Sequence, residues 1–99
     1  MSYGDIFENL QFTKGGPNKF ILAEMDGYSV LRLTLGKGAR APPHMASHSA
    51  FFFILKGRAV ITSGDAEVEL GENQYITLEA NQMRGILALD DLVILAVRD

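Results

Sequence analysis

The chain has 99 residues, of which 47% are hydrophobic and 21% charged, and its net charge is −3 at neutral pH. This length suits one domain with a single core, and the composition is that of a globular protein. Its 9 lysines and arginines are scattered singly from Lys14 to Arg98, so we expect no nucleic-acid binding, which depends on neutralising phosphates. The longest stretch without a Lys, Arg, Asp or Glu, Ala41 to Leu55, is too short to span a membrane, and no membrane partner is expected.

The start of the chain and the absence of cysteine bear on the compartment. Met-Ser-Tyr-Gly-Asp has neither the basic residues nor the apolar run of a secretory signal. With no cysteine, neither a disulfide framework nor thiolate chemistry is available, which fits a reducing environment. We therefore expect a cytoplasmic location.

Turn signals recur at short intervals along the chain, and short apolar or alternating runs lie between them. This pattern is typical of an antiparallel domain with many strands. No segment has a sustained helical period, although Tyr3 to Leu10 could form a short helix or part of an N-terminal arm over residues 1–15. The predicted strands are Lys19–Met25, Tyr28–Leu35, Phe51–Leu55, Arg58–Ser63, Ala66–Leu70, Gln74–Leu78, Met83–Leu89 and Leu92–Arg98.

The dipeptides between these runs predict how the strands connect. Asp26-Gly27 suits a tight hairpin turn. Lys56-Gly57 and Gly64-Asp65 separate three consecutive runs, which predicts that these three strands form a meander. Because closing a sheet of many short strands removes its exposed edges, the sequence predicts an all-β barrel in one domain.

Two segments resemble the motifs of the cupin superfamily. Gly38-Ala-Arg-Ala-Pro-Pro-His44, followed by Phe52-Phe-Ile-Leu-Lys-Gly57, is similar to the first cupin motif. Gly71-Glu-Asn-Gln-Tyr-Ile76 through Arg84 is similar to the second, with Asn81 at a turn where the motif has glycine. The resemblance implies a double-stranded β-helix, or jelly-roll barrel, in which Ala50, Phe52 and Ile54 face the interior.

The same resemblance implies that most of the family's metal ligands are missing. Its His-x-His pair falls on His44 and Ala46, its glutamate on Ala50, and its second-motif histidine on Arg84. Only one of the four ligand positions keeps its ligand, so we expect neither a bound metal nor another cofactor.

The two histidines each have two interpretations. His44 follows Pro42-Pro43 and is either a pocket residue that contacts a ligand or a loop residue at the barrel rim without a task. His48 could share a metal with His44 on a helix, but the local sequence favours an extended chain. Four extended residues span roughly 13 Å, too far for both imidazoles to reach one ion easily. We therefore expect His48 to be an exposed loop residue unless a bulge brings the two together.

Arg84 places a permanent cation where the family has a ligand. If Arg84 points inward, it favours an anionic group such as a carboxylate or phosphate. The alternative is that it pairs with Glu79 or lies on the surface. Phe52 and Ile54 indicate an apolar interior, which either holds a ligand or is filled by these side chains alone. The candidate ligand-binding residues are thus His44, Arg84, Phe52, Ile54 and His48.

Two functions of different classes stay open. The first is a metal-free cupin domain that binds a small organic or anionic ligand, or serves as a dimerising domain, without catalysis. The second is a small cupin enzyme of the isomerase, sugar-modifying or dioxygenase type that uses His44 with or without a divalent metal. The fold cannot decide between them, because the superfamily includes both classes. A homodimer is expected in either case, since the small domain offers an apolar N-terminal strip of Ile6, Phe7, Leu10 and Phe12.

Overall fold

The computed structural model describes all 99 residues and contains nine β-strands and no helix. The predicted all-β fold is therefore confirmed, and the eight predicted strands are present with ends shifted by one residue at most. Accordingly, no helix is available to cross a membrane. The strands are β1 (Asn18–Met25), β2 (Tyr28–Leu35), β3 (Arg40–Ala46), β4 (Ala50–Lys56), β5 (Ala59–Ser63), β6 (Ala66–Leu70), β7 (Tyr75–Leu78), β8 (Gln82–Ala88) and β9 (Leu92–Arg98).

The strands form two antiparallel sheets whose inner faces share one core. The first sheet has the order β1-β2-β9-β4-β7 and the second the order β3-β8-β5-β6. Alternate residues of each strand face inward, as the period of 2 requires. On β4 these are Ala50, Phe52 and Ile54, all buried, as the resemblance implied. Opposite them, Ile61 and Ile86 belong to the same core cluster.

The strand β3 was missing from the prediction because its two prolines suggested a loop. Pro42 and Pro43 cannot donate to a ladder, so prolines in sheets are confined to edges and bulges. Both conditions hold here, since β3 pairs only with β8 and its register shifts between Ala41 and His44. Gly85 on β8 lies opposite this bulge, and a Cβ there would come within 3.1 Å of Pro43. The prolines therefore shape the edge strand that carries His44.

The predicted three-stranded meander is wrong. β5 and β6 do form a hairpin, in which Ser63 pairs with Ala66 around the Gly64 turn. However, β4 pairs with β7 and β9 in the other sheet and has no ladder with β5. Gly57, with a φ of 88°, turns the chain from one sheet into the other instead of closing a hairpin. The short Lys56-Gly57 connection is thus a corner of the barrel.

The N-terminal segment lies along the outer face of β2. Arg32 is 4% exposed, and its Nη1 donates hydrogen bonds to the carbonyl oxygens of Ile6 (3.0 Å) and Glu8 (2.7 Å). Thr34 donates through Oγ1 to the carbonyl of Gln11 at 2.6 Å. These polar side chains are buried because the N-terminal segment covers them and supplies acceptors for Arg32 Nη1 and Thr34 Oγ1, although Arg32 Nε has no partner. No helix forms between Tyr3 and Leu10, where one was among the alternatives.

Candidate functional site

A cavity of about 130 Å³ lies between the inner faces of the two sheets. The inward-facing residues of β2, β4, β8 and β9 form its apolar wall. None of the 14 residues that line the cavity is Asp, Glu, Ser, Thr, Asn, Gln or Tyr. Its interior is therefore apolar apart from basic side chains. The apolar wall consists mainly of Leu31, Leu33, Phe52, Ile86 and Ala96.

Arg84 is the most deeply buried basic residue of the cavity. It alternates with Ile86 and Ala88 on the inner face of β8, and it is only 6% exposed. Its Nη2 donates to the carbonyl oxygens of His48 (2.6 Å) and Glu79 (3.2 Å). Its Nε is buried without a hydrogen-bond partner. The expected alternative of a surface position is wrong, and Glu79 contacts Arg84 through its backbone instead of its carboxylate.

The two histidines also line the cavity, but from different directions. His44 is the register partner of Arg84 across the β3–β8 ladder, which places the two side chains on the same face. Its Nδ1 lies 3.3 Å from the carbonyl oxygen of Pro42. His48 lies between β3 and β4 and is partly buried, not exposed as expected. The β3–β8 ladder and the β3–β4 connection together therefore bring His44, His48 and Arg84 to one cavity.

Lys19 and Arg98 complete the basic lining, although neither was predicted from the sequence. Lys19 is paired with Leu33 and Arg98 with Ala50, so both side chains lie on the inner face of the first sheet. Strand parity could have identified Arg98, because it continues the inward series of Ile94 and Ala96. Lys19 could not be identified in this way, because β1 has no regular apolar alternation.

Phe52 and Ile54 share the inner face of β4 but differ in depth. Phe52 lines the cavity and is 6% exposed. Ile54 is fully buried in the core cluster and does not line the cavity. The structure thus brings four of the five candidate residues together and leaves Ile54 beneath them.

The residues at the family's ligand positions do not fit a metal. His44, Ala50 and Arg84 line the cavity, but neither a methyl group nor a guanidinium can coordinate an ion. No group of three or more His, Cys, Asp and Glu side chains lies close enough to hold one. His44 and His48 alone would leave a divalent ion with two protein ligands, fewer than a structural or catalytic zinc site has.

The electrostatics of the cavity act on His48. Burial, followed by the positive charges of Arg84 and Arg98, lowers the pKa of His48 below 6.5. Lys19 acts in the same direction, whereas Asp99 opposes it. Asp99 accepts hydrogen bonds from the Ser49 amide and hydroxyl, and the hydroxyl bond is the main reason why the pKa of Asp99 is lowered.

This depressed pKa predicts a pH dependence of stability. Because the pKa of His48 is lower in the folded chain, the unfolded chain binds a proton there more readily as the pH falls through about 6.5. The stability is therefore complete above that pH and declines as the pH falls through it. The variant His48→Gln should show a flatter dependence of the free energy of unfolding between about pH 7 and pH 5, measured by urea denaturation. Equal slopes in variant and parent would contradict this assignment.

Comparisons with known proteins agree with the fold and the motifs. The Cupin domain model matches residues 31–97. An RmlC-like cupin protein from Desulfovibrio desulfuricans is 17% identical with a TM-score of 0.85, over 99% of this chain and 95% of that one. A Thermus thermophilus protein is 16% identical with a TM-score of 0.88, over 99% and 96% of the two chains.

KdgF from Halomonas is 21% identical with a TM-score of 0.75, over 84% of this chain and 78% of that one. At such identities, these structures show a shared fold alone. No curated protein matches the chain. Because the family model covers residues 31–97, from within β2 to the penultimate residue of β9, the chain belongs to the cupin domain family.

Proposed function

We propose that this cupin domain binds a small organic anion in the cavity between its sheets, without a metal and with Arg84 as the main anion-binding residue. The observation that carries the proposal is the state of the Arg84 guanidinium. It lines the cavity, is buried, bonds only to backbone carbonyls, and has an Nε without a partner. Arg32 also has an unpartnered Nε, but it lies outside the cavity beneath the N-terminal segment. A buried charge without a counter-charge is destabilising, and a bound anion would supply that charge.

The charges around Arg84 support the same proposal. Burial lowers the pKa of Arg84, and the carboxylate that opposes this shift is that of Asp99. Asp99 is exposed and hydrogen-bonded to Ser49, and it makes no salt bridge with Arg84. The chain as a whole carries a net charge of −3, yet every ionisable side chain that lines the cavity is basic. This separation of charge favours an anionic ligand over a neutral or cationic one.

Binding of three anionic probes tests the proposal. Benzoate, phenyl phosphate and glucuronate are titrated into protein purified without an affinity tag, in the presence of EDTA, by calorimetry. We expect at least one probe to bind, and Arg84→Met to weaken that binding about tenfold or more, because a hydrogen-bonded charge contact is lost. Arg40→Met is the matched control, since Arg40 is exposed and does not line the cavity.

Two outcomes would contradict the proposal. One is that none of the three probes binds to the parent protein. The other is that a folded Arg84→Met variant binds the probes as tightly as the parent does. Thermal unfolding of each variant before titration ensures that lost binding is not lost structure.

The alternative proposal is an enzyme that uses His44 as a general base beside Arg84. It is supported by the Nδ1 contact of His44 with the Pro42 carbonyl. Because a carbonyl only accepts, this contact places a proton on Nδ1, and in the neutral imidazole Nε2 then carries a lone pair. Elemental analysis of the untagged protein separates the two classes in part, since stoichiometric Fe, Mn, Ni or Zn would favour a metal-dependent enzyme.

A homodimer is also part of the proposal. Leu10 and Phe12 of the N-terminal strip are half-buried, so the strip exposes less apolar surface for a contact between subunits than the sequence suggested. The outer face of the first sheet instead offers Phe51, Phe53 and Leu95, which remain partly exposed. Light scattering should give twice the monomer mass of 10.8 kDa. A monomer at every concentration would refute the dimer.

A further inference from the structure

The shape and chemistry of the cavity restrict the anion further, provided that the proposed function holds. We propose that the ligand is a compact monocarboxylate with an apolar body, such as a small aromatic or branched-chain acid. Its carboxylate would lie against Arg84, and its body against Leu33, Phe52 and Ile86.

The cavity wall has no neutral side chain with a hydroxyl or amide group. A sugar or polyol buries several hydroxyl groups, and each needs a hydrogen-bond partner to avoid a cost of desolvation. The cavity wall offers no hydroxyl, amide or carboxylate side chain. Its polar side chains are all basic: they donate to an anionic group, but apart from the two imidazoles they offer no acceptor for the protons of a row of hydroxyls. A polyhydroxylated ligand therefore fits this wall poorly.

The volume of the cavity limits the size of the ligand. The cavity volume of about 130 Å³ is close to that of an engineered apolar cavity of about 150 Å³ that binds benzene. A single six-membered ring or a branched chain of similar bulk would fill it. A larger ligand would either extend outward past the exposed Lys19 and His44 or displace core side chains such as Phe52, which is 6% exposed.

The hydrogen-bond donors around Arg84 determine which anionic group fits best. Both hydrogen bonds of Arg84 come from Nη2, which leaves Nε and Nη1 as its unshared donors. The nearby backbone amides of β8 and β9 are engaged in strand ladders, so they form no cradle of free amides of the kind that phosphate sites use. With so few donors at the buried end, a carboxylate with two oxygens is better satisfied than a phosphate with three.

Two further cations lie in the lining of the cavity. Lys19 and Arg98 line the same cavity from the first sheet, and neither takes part in a salt bridge. They add attraction for a negative charge without adding acceptors. One compact anionic group among Lys19, Arg84 and Arg98, with an apolar body against the wall, accounts for the cationic and the apolar side chains of the lining.

A graded set of ligands tests this inference, again with EDTA present and by calorimetry. Benzoate is compared with acetate, which lacks the body, and with benzamide, which lacks the charge. Phenyl phosphate and glucuronate replace the anionic group and the apolar body, respectively. We expect benzoate to bind at least about tenfold more tightly than each of the other four, which corresponds to about 1.4 kcal/mol.

A cavity-filling variant gives an independent measurement. Ala41 lines the cavity from β3 and is only partly buried, so Ala41→Leu should fill the space without disturbing the core. We expect this variant to lose benzoate binding about tenfold or more while it stays folded. Ala66→Leu is the matched control, because Ala66 is exposed on β6 and does not line the cavity.

The outcomes separate this inference from the proposed function. If phenyl phosphate or glucuronate binds more tightly than benzoate and depends on Arg84, the proposed function stands and the monocarboxylate is wrong. If benzamide or acetate matches benzoate, the need for both charge and apolar body is wrong. If no anion binds, both proposals fail. Should Ala41→Leu not fold, the five ligands on the parent protein decide the question alone.

Discussion

The triple change Ala46→His, Ala50→Glu and Arg84→His should create a stoichiometric metal site that the parent lacks. His44 and Arg84 are register partners, Ala46 shares the face of His44, and Ala50 faces the same cavity from the other sheet. Three imidazoles and one carboxylate are sufficient to hold a divalent first-row metal. At metal concentrations about 100-fold above the Kd, binding should stabilise the variant by about 2.7 kcal/mol, or roughly 11–22 °C in Tm.

Calorimetric titration with Zn²⁺ and thermal unfolding with and without metal measure this gain. The matched control is the same triple change with Ala50→Gln in place of Ala50→Glu, which keeps the size of the side chain and removes the anionic ligand. Without metal, the Glu variant should be less stable than the parent, because a carboxylate is newly buried. Tight one-to-one binding by the parent would show that His44 and His48 already form a site. A folded triple variant that binds no metal would show that the motif alignment is out of register.

The variant Gly57→Ala should lose about 3 kcal/mol or more of the free energy of unfolding, from an unfavourable backbone conformation and a steric clash. Gly57 lies at the corner between β4 and β5 with a φ of 88°, a conformation that costs other residues about 1–2 kcal/mol. In addition, a Cβ at this position would collide with the carbonyl oxygen of Asp91. Since that oxygen belongs to the backbone just before β9, relief requires one of the two chain segments to move.

Gly38→Ala is the matched control for this prediction. Gly38 has a nearly equal φ of 85°, but a Cβ there would meet no atom within 4 Å. The Gly38→Ala variant should lose only about 1–2 kcal/mol of the free energy of unfolding, because its alanine must adopt a left-handed backbone conformation. Urea denaturation of both variants and the parent measures the difference. Equal losses would mean that the contact with Asp91 adds nothing and that the backbone conformation alone requires glycine.

Local patterns in the sequence determined most of the strands and the direction of many side chains. The ends of β2, β6 and β9 were predicted to the residue, because Gly or Asp turn signals interrupt the apolar runs there. Parity along β4 correctly placed Ala50, Phe52 and Ile54 inside. A strand has a side-chain period of 2 whatever its neighbours are, so this information is local.

The tertiary structure alone decided which strands pair and which charges meet. Nothing near Lys56-Gly57 distinguishes a hairpin from a corner, because that choice depends on the approach of Asp91 from a distant part of the chain. β3 was not predicted because it contains two prolines, and its extended form depends on pairing with β8. Lys19, Arg84 and Arg98 are far apart in sequence and gather around one cavity only when the two sheets face each other. Arg84 could be identified from the sequence as a candidate. Its burial without a counter-charge could not be predicted from local patterns, because it depends on contacts between separate strands.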